Sequence, residues 1–384
     1  MAIAYVANRD SNTVSVISTQ SNRVIATIPV GKTPVDVTFT PNGRRVYVTN
    51  HGSNTISVIN TQSNRVIATI PVGKTPVNIK FTPNGRRAYV VNYNSNTVSV
   101  INTQSNRVIT TIPVGDLPYG IAITPNGARV YVTYLGGLST NVAIINTQSN
   151  RVIARLLVGV EGGEPRDIVI TPNGRFAYIL DERDYNVSVL NIQSNRVVTT
   201  IPTGEYPNNI TISPNGRRVY VTNSGFTVGN LKTSNTGTIS VISTQLNRAI
   251  ATIPVGEGPS KVIITPNGRH AYVANRDSNT VSVISTQSNR VIATIPVGKT
   301  PVDITITPNG RRAYVTNHGS NTVSVINTQS NQIITRIHVG RGPSGITIIP
   351  TRLSQPLIKH RKKVVHLSRP LIKRRKGLYS AFVK

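Results

Sequence analysis

"TPNGRRVYVTNHGSNTISVINTQSNRVIATIPVGKTPV" occupies residues 40–77, and residues 82–119 nearly repeat it as "TPNGRRAYVVNYNSNTVSVINTQSNRVITTIPVGDLPY". The unit is not confined to this pair. Pro-Asn-Gly recurs with its proline at 41, 83, 125, 172, 214, 266 and 308, at spacings of 42, 42, 47, 42, 52 and 42 residues. A fixed period of this size marks a repeat array, in which each unit is one supersecondary element that cannot bury its apolar face alone.

The contents of one period decide the architecture. "PVDVTFT" is followed by the turn PNG, "RRVYVTN" by a Gly/Ser/Asn loop, "TISVINT" by QSN, and "RVIATIPVG" by KT. Every run is rich in β-branched residues and nearly alternating, and every break holds Asn, Gly, Ser or Pro. Asn-Gly supplies the positive φ that a tight hairpin needs. No run has the length or spacing of an amphipathic helix. Four short antiparallel strands per period is one blade of a β-propeller. We label them a, innermost, through d, outermost.

The chain opens on a b strand, residues 3–8, and its last repeat ends on an a strand, residues 345–350. The a strands beginning near Pro34, Pro76, Pro118, Pro165, Pro207, Pro259, Pro301 and Pro343 number eight. An eight-bladed ring over residues 1–350 is therefore expected, closed by pairing the C-terminal a strand with the N-terminal blade. A seven-bladed ring would strand one repeat with open edges. Residues 351–384 hold 11 Lys or Arg and no acid, with "SQPLIKHRKK" echoed by "SRPLIKRRKG". Such a run reads as a basic, disordered tail that either holds polyanions or is a dispensable extension.

The totals agree with this reading. The 384 residues contain no Cys and no Trp, so neither disulfides nor thiolate metal sites are possible. No apolar run reaches the ~20 residues that span a bilayer. The opening "MAIAYVANRD" lacks the basic and apolar regions of a secretory signal. The formal net charge of +29 predicts attraction to polyanions.

The tetrads "YVTN" at residues 47–50 and 314–317, and "YVAN" at 5–8 and 272–275, carry a resemblance. The repeats resemble the YVTN β-propeller family of surface-layer-like proteins over residues 2–350. The resemblance implies a β-propeller and a cell-surface or secreted location; with no signal peptide read in this chain, the cytoplasm is the alternative expectation.

In a four-stranded blade the a–b and c–d turns lie on one face of the disc, and the b–c loops and d–a connections on the other. Eighteen arginines map to the first, the turn face. Those assigned to polyanion binding are Arg23, Arg44, Arg45, Arg65, Arg86, Arg87, Arg107, Arg217, Arg218, Arg290, Arg311 and Arg312. All 13 acidic residues map to the opposite, loop face. A two-sided disc is expected, its arginine face suited to phosphate or carboxylate polymers. The plainer alternative is that the arginines are solvated turn residues copied by duplication. Few aromatics interleave with them, so base stacking is not expected and binding to nucleic acid would be salt-dependent and non-specific.

Insertions confined to one face of an array mark a candidate binding face. Here the fourth b–c loop gains two residues, the connection at 158–165 gains three, and the loop at 223–238 gains ten, all on the loop face. The residue after each "YV-N" varies: Arg9, His51, Tyr93, Arg276 and His318. The third residue of each a strand varies too: Asp36, Asn78, Asp167, Asn209, Lys261 and Asp303. These positions surround the loop-face mouth of the central channel, where a protein partner or glycan is expected to bind.

No catalytic, metal or cofactor site is expected. There is no Gly-x-Ser-x-Gly elbow and no phosphate loop opening a helix. His51 and His318 sit at equivalent positions two blades apart. Residues 4–36 and 271–303 are identical, and duplicated blades supply the same side chains everywhere, whereas an active site needs different groups in defined roles. A binding or structural scaffold is the leading expectation. A nucleic-acid-binding propeller and a lactonase- or lyase-type enzyme are the alternatives.

Overall fold

Both hairpins of a blade fold as their residues demand. The glycine of each PNG turn lies at positive φ, 66° in Gly43 and 72° in Gly310, a region that costs a residue with a Cβ. The preceding Asn42 side chain accepts from the Arg44 amide at 3.0 Å and from the Thr40 hydroxyl at 2.8 Å, which closes the bend from within. Each QSN turn ends on an asparagine in the same left-handed region, such as Asn64 at φ 51°.

The computed structural model describes residues 2–350, apart from 137–138, 162–164, 226, 229–230 and 233–236. It is an all-β ring of eight four-stranded antiparallel sheets, with a two-stranded hairpin, Thr227–Val228 against Leu231–Lys232, in one b–c loop. Blade 2 shows the pattern, with strands a to d at Pro34–Phe39, Arg45–Asn50, Thr55–Asn60 and Arg65–Pro71. Blades 3 to 8 begin at Pro76, Ile121, Pro165, Pro207, Pro259 and Pro301. The eight-bladed ring expected from the sequence is what forms, and the two ends meet as expected. Strand Pro343–Pro350 pairs with Ala2–Asn8 in blade 1, with Ile3 opposite Ile349 and Tyr5 opposite Thr347. The proposed tail, residues 351–384, lies outside the described residues.

The core is a set of inter-blade layers. Tyr5, Val14 and Val16 of blade 1 pack on Val37, Val46 and Val48 of blade 2. Across the closure, Tyr314 and Val325 of blade 8 pack on Ala4, Val6 and Ile348 of blade 1. Each b-strand tyrosine is buried and hides on the order of 200 Å². In six blades its hydroxyl bonds an asparagine of the next blade: Tyr5 donates to Asn64 Oδ1 at 2.7 Å, and Tyr314 to Asn22 Oδ1 at 2.8 Å across the closure. The Tyr131 hydroxyl is buried without a hydrogen-bond partner among the described residues.

The outer edge is blunted. In all eight blades the c–d pairing carries a bulge at the same place, for example at Val58/Ile59. Twisting the edge this way protects strands that expose Ile25, Ile67 and their equivalents.

Candidate functional site

The strands that line the channel depart from simple alternation. In blade 2 Pro34 pairs with Asn50 and Asp36 with Thr49, so Val35 is an extra, bulged residue. The same shift recurs at Asn78, Asp167, Asn209, Lys261 and Asp303. Strict alternation would send the second and third residues of an a strand to opposite sides. The bulge lets both face the channel.

Together they line a loop-face cavity of about 620 Å³. Ten of the eleven residues singled out from the sequence border it: Arg9, Asp36, His51, Asn78, Tyr93, Asp167, Asn209, Lys261, Arg276 and Asp303. His318 does not. Its imidazole turns toward Asp10 of the neighbouring blade, with Nε2 3.8 Å from the carboxylate. Five residues that sequence reasoning passed over line the cavity from a single strand position: Tyr119, Arg166, Asn208, Ser260 and Ser344. All are second residues of a strands, where blades 2, 3 and 8 carry Val35, Val77 and Val302. That departure from valine was the available signal.

The third residues form an inner ring that first of all ties neighbouring blades together. Asp303 accepts from the Ile346 amide of blade 1 at 2.9 Å and from its own neighbour Ile304 at 2.9 Å. Asn209 donates to Asp167 Oδ2 at 3.2 Å and accepts from the Val262 amide at 3.3 Å. Asn78 donates to the Tyr119 carbonyl at 2.9 Å. These side chains, expected to serve a ligand, are thus also the inner girdle of the ring. Where the third residue is Gly120 or Gly345 the adjacent a strand comes so close that an added Cβ would lie 3.0 Å from the Asp167 Cα or 2.8 Å from the Val35 carbonyl.

Lys261 sits among three carboxylates. Burial alone would push its ammonium pKa down, but Asp303, Asp167 and Asp36 outweigh burial and hold it above the usual lysine value. One ammonium cannot compensate three acids. Burial therefore pushes the Asp36 carboxyl up against the opposing pull of Lys80 and Lys261. It raises Asp303 as well, against Lys261 and the two amides. Among the described residues no three His, Asp or Glu side chains converge as metal ligands.

The outer ring is where side chains stay available. Tyr93 and Tyr119 meet edge to face, 6.3 Å between ring centres, and the Arg166 guanidinium lies 5.1 Å over the Tyr119 ring. Arg166 is held by Glu182 at 2.7 Å, and Arg276 by Asp277 at 3.1 Å. His51 is pushed below the ordinary histidine pKa by burial and by Arg9 beside it, so at neutral pH it is an uncharged donor–acceptor. The mouth is a mixed polar surface with one aromatic wall.

The turn-face arginines divide into two sets. Arg45 Nη1 donates to the Thr103 carbonyl and to Asn106 Oδ1 in the next blade. Arg87, Arg218 and Arg312 reach Asn150, Asn289 and Asn22 in the same way, at 3.3, 3.1 and 3.3 Å, and Arg129 repeats the link to the Ile192 carbonyl at 3.0 Å. These four of the twelve assigned to polyanion binding are half-buried inter-blade clamps, because the second arginine of each NGRR turn starts strand b and points along the seam. Arg23, Arg44, Arg65, Arg86, Arg107, Arg217, Arg290 and Arg311 are exposed.

The sequence profile of the Choice-of-anchor I domain matches residues 121–342, more than half of the chain. No curated protein matches. Among solved structures, hydrazine synthase from Kuenenia stuttgartiensis superimposes with a TM-score of 0.64 at 23% identity, over 77% of this chain and 95% of that one. The dihydro-heme d1 dehydrogenase NirN gives 0.74 at 16% identity, over 90% and 74% of the two chains. AztD from Citrobacter koseri gives 0.68 at 13%, over 91% and 98%. At these identities the likeness is one of fold alone.

Proposed function

This chain belongs to the Choice-of-anchor I domain family, and from that premise we propose that it is a non-enzymatic binding propeller, held at a cell surface, that takes a glycan or a glycan-bearing partner in the loop-face cavity. One observation carries the reading: side chains that differ between otherwise duplicated blades converge on a single cavity of about 620 Å³. Its lining suits a hydroxyl-rich ligand. Tyr93 and Tyr119 offer ring surface, while Arg9, Arg166, Lys261 and Asp36 offer donors and acceptors around the same cavity. A few placed polar groups around an aromatic wall is the general make-up of small-molecule sites. The YVTN-like repeats and a family described by its anchoring support a surface location. Among the described residues no helix is long and apolar enough to cross a membrane.

The test is a glycan array probed with the full chain, followed by titration of the best hit. Tyr119→Ala and Arg166→Ala should each weaken binding about tenfold, as truncation of a central contact does, and the glycan should be recovered unchanged. Binding indifferent to both substitutions removes the site assignment. Recovery of a hydrolysed or eliminated product would return the lactonase- or lyase-type alternative.

A further inference from the structure

Loop-face binding makes no use of the opposite side of the disc. There the exposed arginines form a ring with no acid in any of its turns. Arg44, Arg86, Arg175, Arg217, Arg269 and Arg311 project from PNG turns, and seven more project from QSN-type turns. Every ion pair seen among the described residues lies on the loop face. The clamp arginines do not neutralise this surface, since each donates from one guanidinium nitrogen to uncharged acceptors. A guanidinium carries five N–H donors, so most remain for a ligand.

At three of the seams between blades the turn face is hollowed. Hollows of about 330, 510 and 230 Å³ lie between blades 2 and 3, 4 and 5, and 6 and 7. Each is built from the same parts. A clamp arginine (Arg45, Arg129 or Arg218) meets the asparagine of a PNG turn and the glutamine of the neighbouring c–d turn, and an exposed arginine stands at the rim. Amide and guanidinium donors around a recess are an anion seat, and Arg presents a planar fork that matches phosphate oxygens.

We propose that the turn face binds a flexible linear polyphosphate-type polymer, with phosphate groups seated in the inter-blade hollows and the chain following the arginine ring. Two features favour this partner over nucleic acid. No Phe or Tyr of the turn face is fully exposed among the described residues, so bases have little to stack on there. The charges also follow a closed circle, which a flexible chain can track, whereas a stiff duplex crosses it along one chord. The contacts are weak singly and add by multivalency.

The probe is inorganic polyphosphate, titrated into the full chain at about 50 mM and about 200 mM salt. The deciding comparison is between two charge-matched triple variants. Arg44→Ala/Arg86→Ala/Arg311→Ala strips three exposed turn-face cations; Lys32→Ala/Lys74→Ala/Lys299→Ala strips three exposed cations from d–a connections on the loop face. The turn-face triple should lose about tenfold or more in affinity, with a salt slope shallower by about 2, as expected for three lost contacts to a single strand. The loop-face triple should stay within about twofold. Equal losses in both would show a response to net charge alone, and wild-type affinity in both would place binding elsewhere; either overturns the proposal. So does absence of binding at the lower salt, or tighter binding of a single-stranded oligonucleotide of equal charge. Far-UV circular dichroism of both variants guards against loss of fold. Failure here leaves the loop-face site untouched, because Tyr119→Ala and Arg166→Ala report on that alone.

Discussion

The two faces of the disc are made by the same eight blades, yet one repeats and the other wanders. On the turn face the PNG and QSN hairpins keep their length from blade to blade, while the loop face absorbs every insertion. The hydrogen bonds explain the contrast. A turn-face hairpin is wired to its own blade and to the next: in blade 3 the Thr103 hydroxyl donates to the Gly85 carbonyl at 2.5 Å, the Thr103 amide to Arg86 at 3.1 Å, and Arg87 reaches Asn150 at 3.3 Å. A residue added there must break several bonds at once. Loop-face turns have a buried anchor at the end of strand b, the Asn50 side-chain amide donating to the Ser57 hydroxyl at 2.9 Å. Their tips, however, are closed by exposed contacts, such as the Lys32 amide to the Ser53 hydroxyl at 3.0 Å, which water replaces at little cost. Variation has accumulated where it does not unlock the ring, and that is also where a ligand can be specified.

The sharpest way to break this comparison is to insert Gly-Ser on each face. Between Gly85 and Arg86 the insertion should cost about 3–5 kcal/mol, the sum of an arginine clamp and two or three ordinary hydrogen bonds. Between His51 and Gly52 it should cost about 1 kcal/mol, since lengthening a surface loop adds little closure entropy. Urea unfolding of both variants decides it. Similar losses would mean that the constancy of the turn face reflects recent duplication and not constraint.

A smaller effect is expected at the channel, where loop-face chemistry and ring structure meet. Lys261→Met leaves Asp36, Asp167 and Asp303 facing one another without their ammonium. Removing one partner of a buried charge cluster costs 3–5 kcal/mol in dry interiors; this cavity admits water, so about 2–3 kcal/mol at pH 7 is the expectation. The pH dependence follows from the upward direction of the Asp36 and Asp303 shifts. An acid whose folded pKa is raised is most compatible with the fold when protonated, and its ionisation erodes stability as pH rises from its unfolded toward its folded value. Lys261, with its folded pKa raised, contributes fully throughout the neutral range and loses its effect only at alkaline pH. The deficit of the variant should therefore shrink as the pH is lowered from 7 toward about 4, the ordinary carboxylate range. A deficit equal at both pH values would assign Lys261 a packing role only.

The fold was legible because its signals are redundant. The period, the turn residues and the offset between a b-strand start and an a-strand finish all demand the same closed ring. The outer ring of the cavity was legible because function shows in an array as departure from the repeat. Tyr119, Arg166, Asn208, Ser260 and Ser344 were not, because a bulge breaks the two-residue alternation on which strand facing is judged, and nothing in "PVDVTFT" announces one. Nor can adjacent arginines in "NGRR" be told apart by composition. Arg44 is a free surface cation and Arg45 a clamp only because strand b starts between them and carries the second into the seam. Of the two longest loop-face segments, 158–165 and 223–238, residues 162–164, 226, 229–230 and 233–236 lie outside the described residues.

The finest difference between blades offers the last test. Just before strand a the backbone turns through the left-handed region in seven of the d–a connections, and the blades supply different residues for it, among them Gly342 at φ 64° and Gly258 at φ 60°, but Thr33, Thr75 and Thr300 at φ 54°, 60° and 54°. For a β-branched residue that conformation costs roughly 1–2 kcal/mol. Thr300→Gly relieves it while losing no side-chain hydrogen bond seen in the structure. The backbone bonds remain: its amide donates to Asn279 Oδ1 at 2.7 Å and its carbonyl accepts from the His318 amide at 2.9 Å. Against this, glycine enlarges the freedom of the unfolded chain by about 0.4–1 kcal/mol. The net should be stabilising by about 0.5–1 kcal/mol, a rise of about 1–2 °C in Tm by calorimetry. The same exchange on the turn face, Asn64→Gly, meets the same φ requirement at 51° but deletes the acceptor of Tyr5, and should destabilise instead. Opposite signs for one chemical change at two left-handed positions would show that loop-face turns carry slack which turn-face turns do not; the same sign at both would place the difference between the faces in loop length alone.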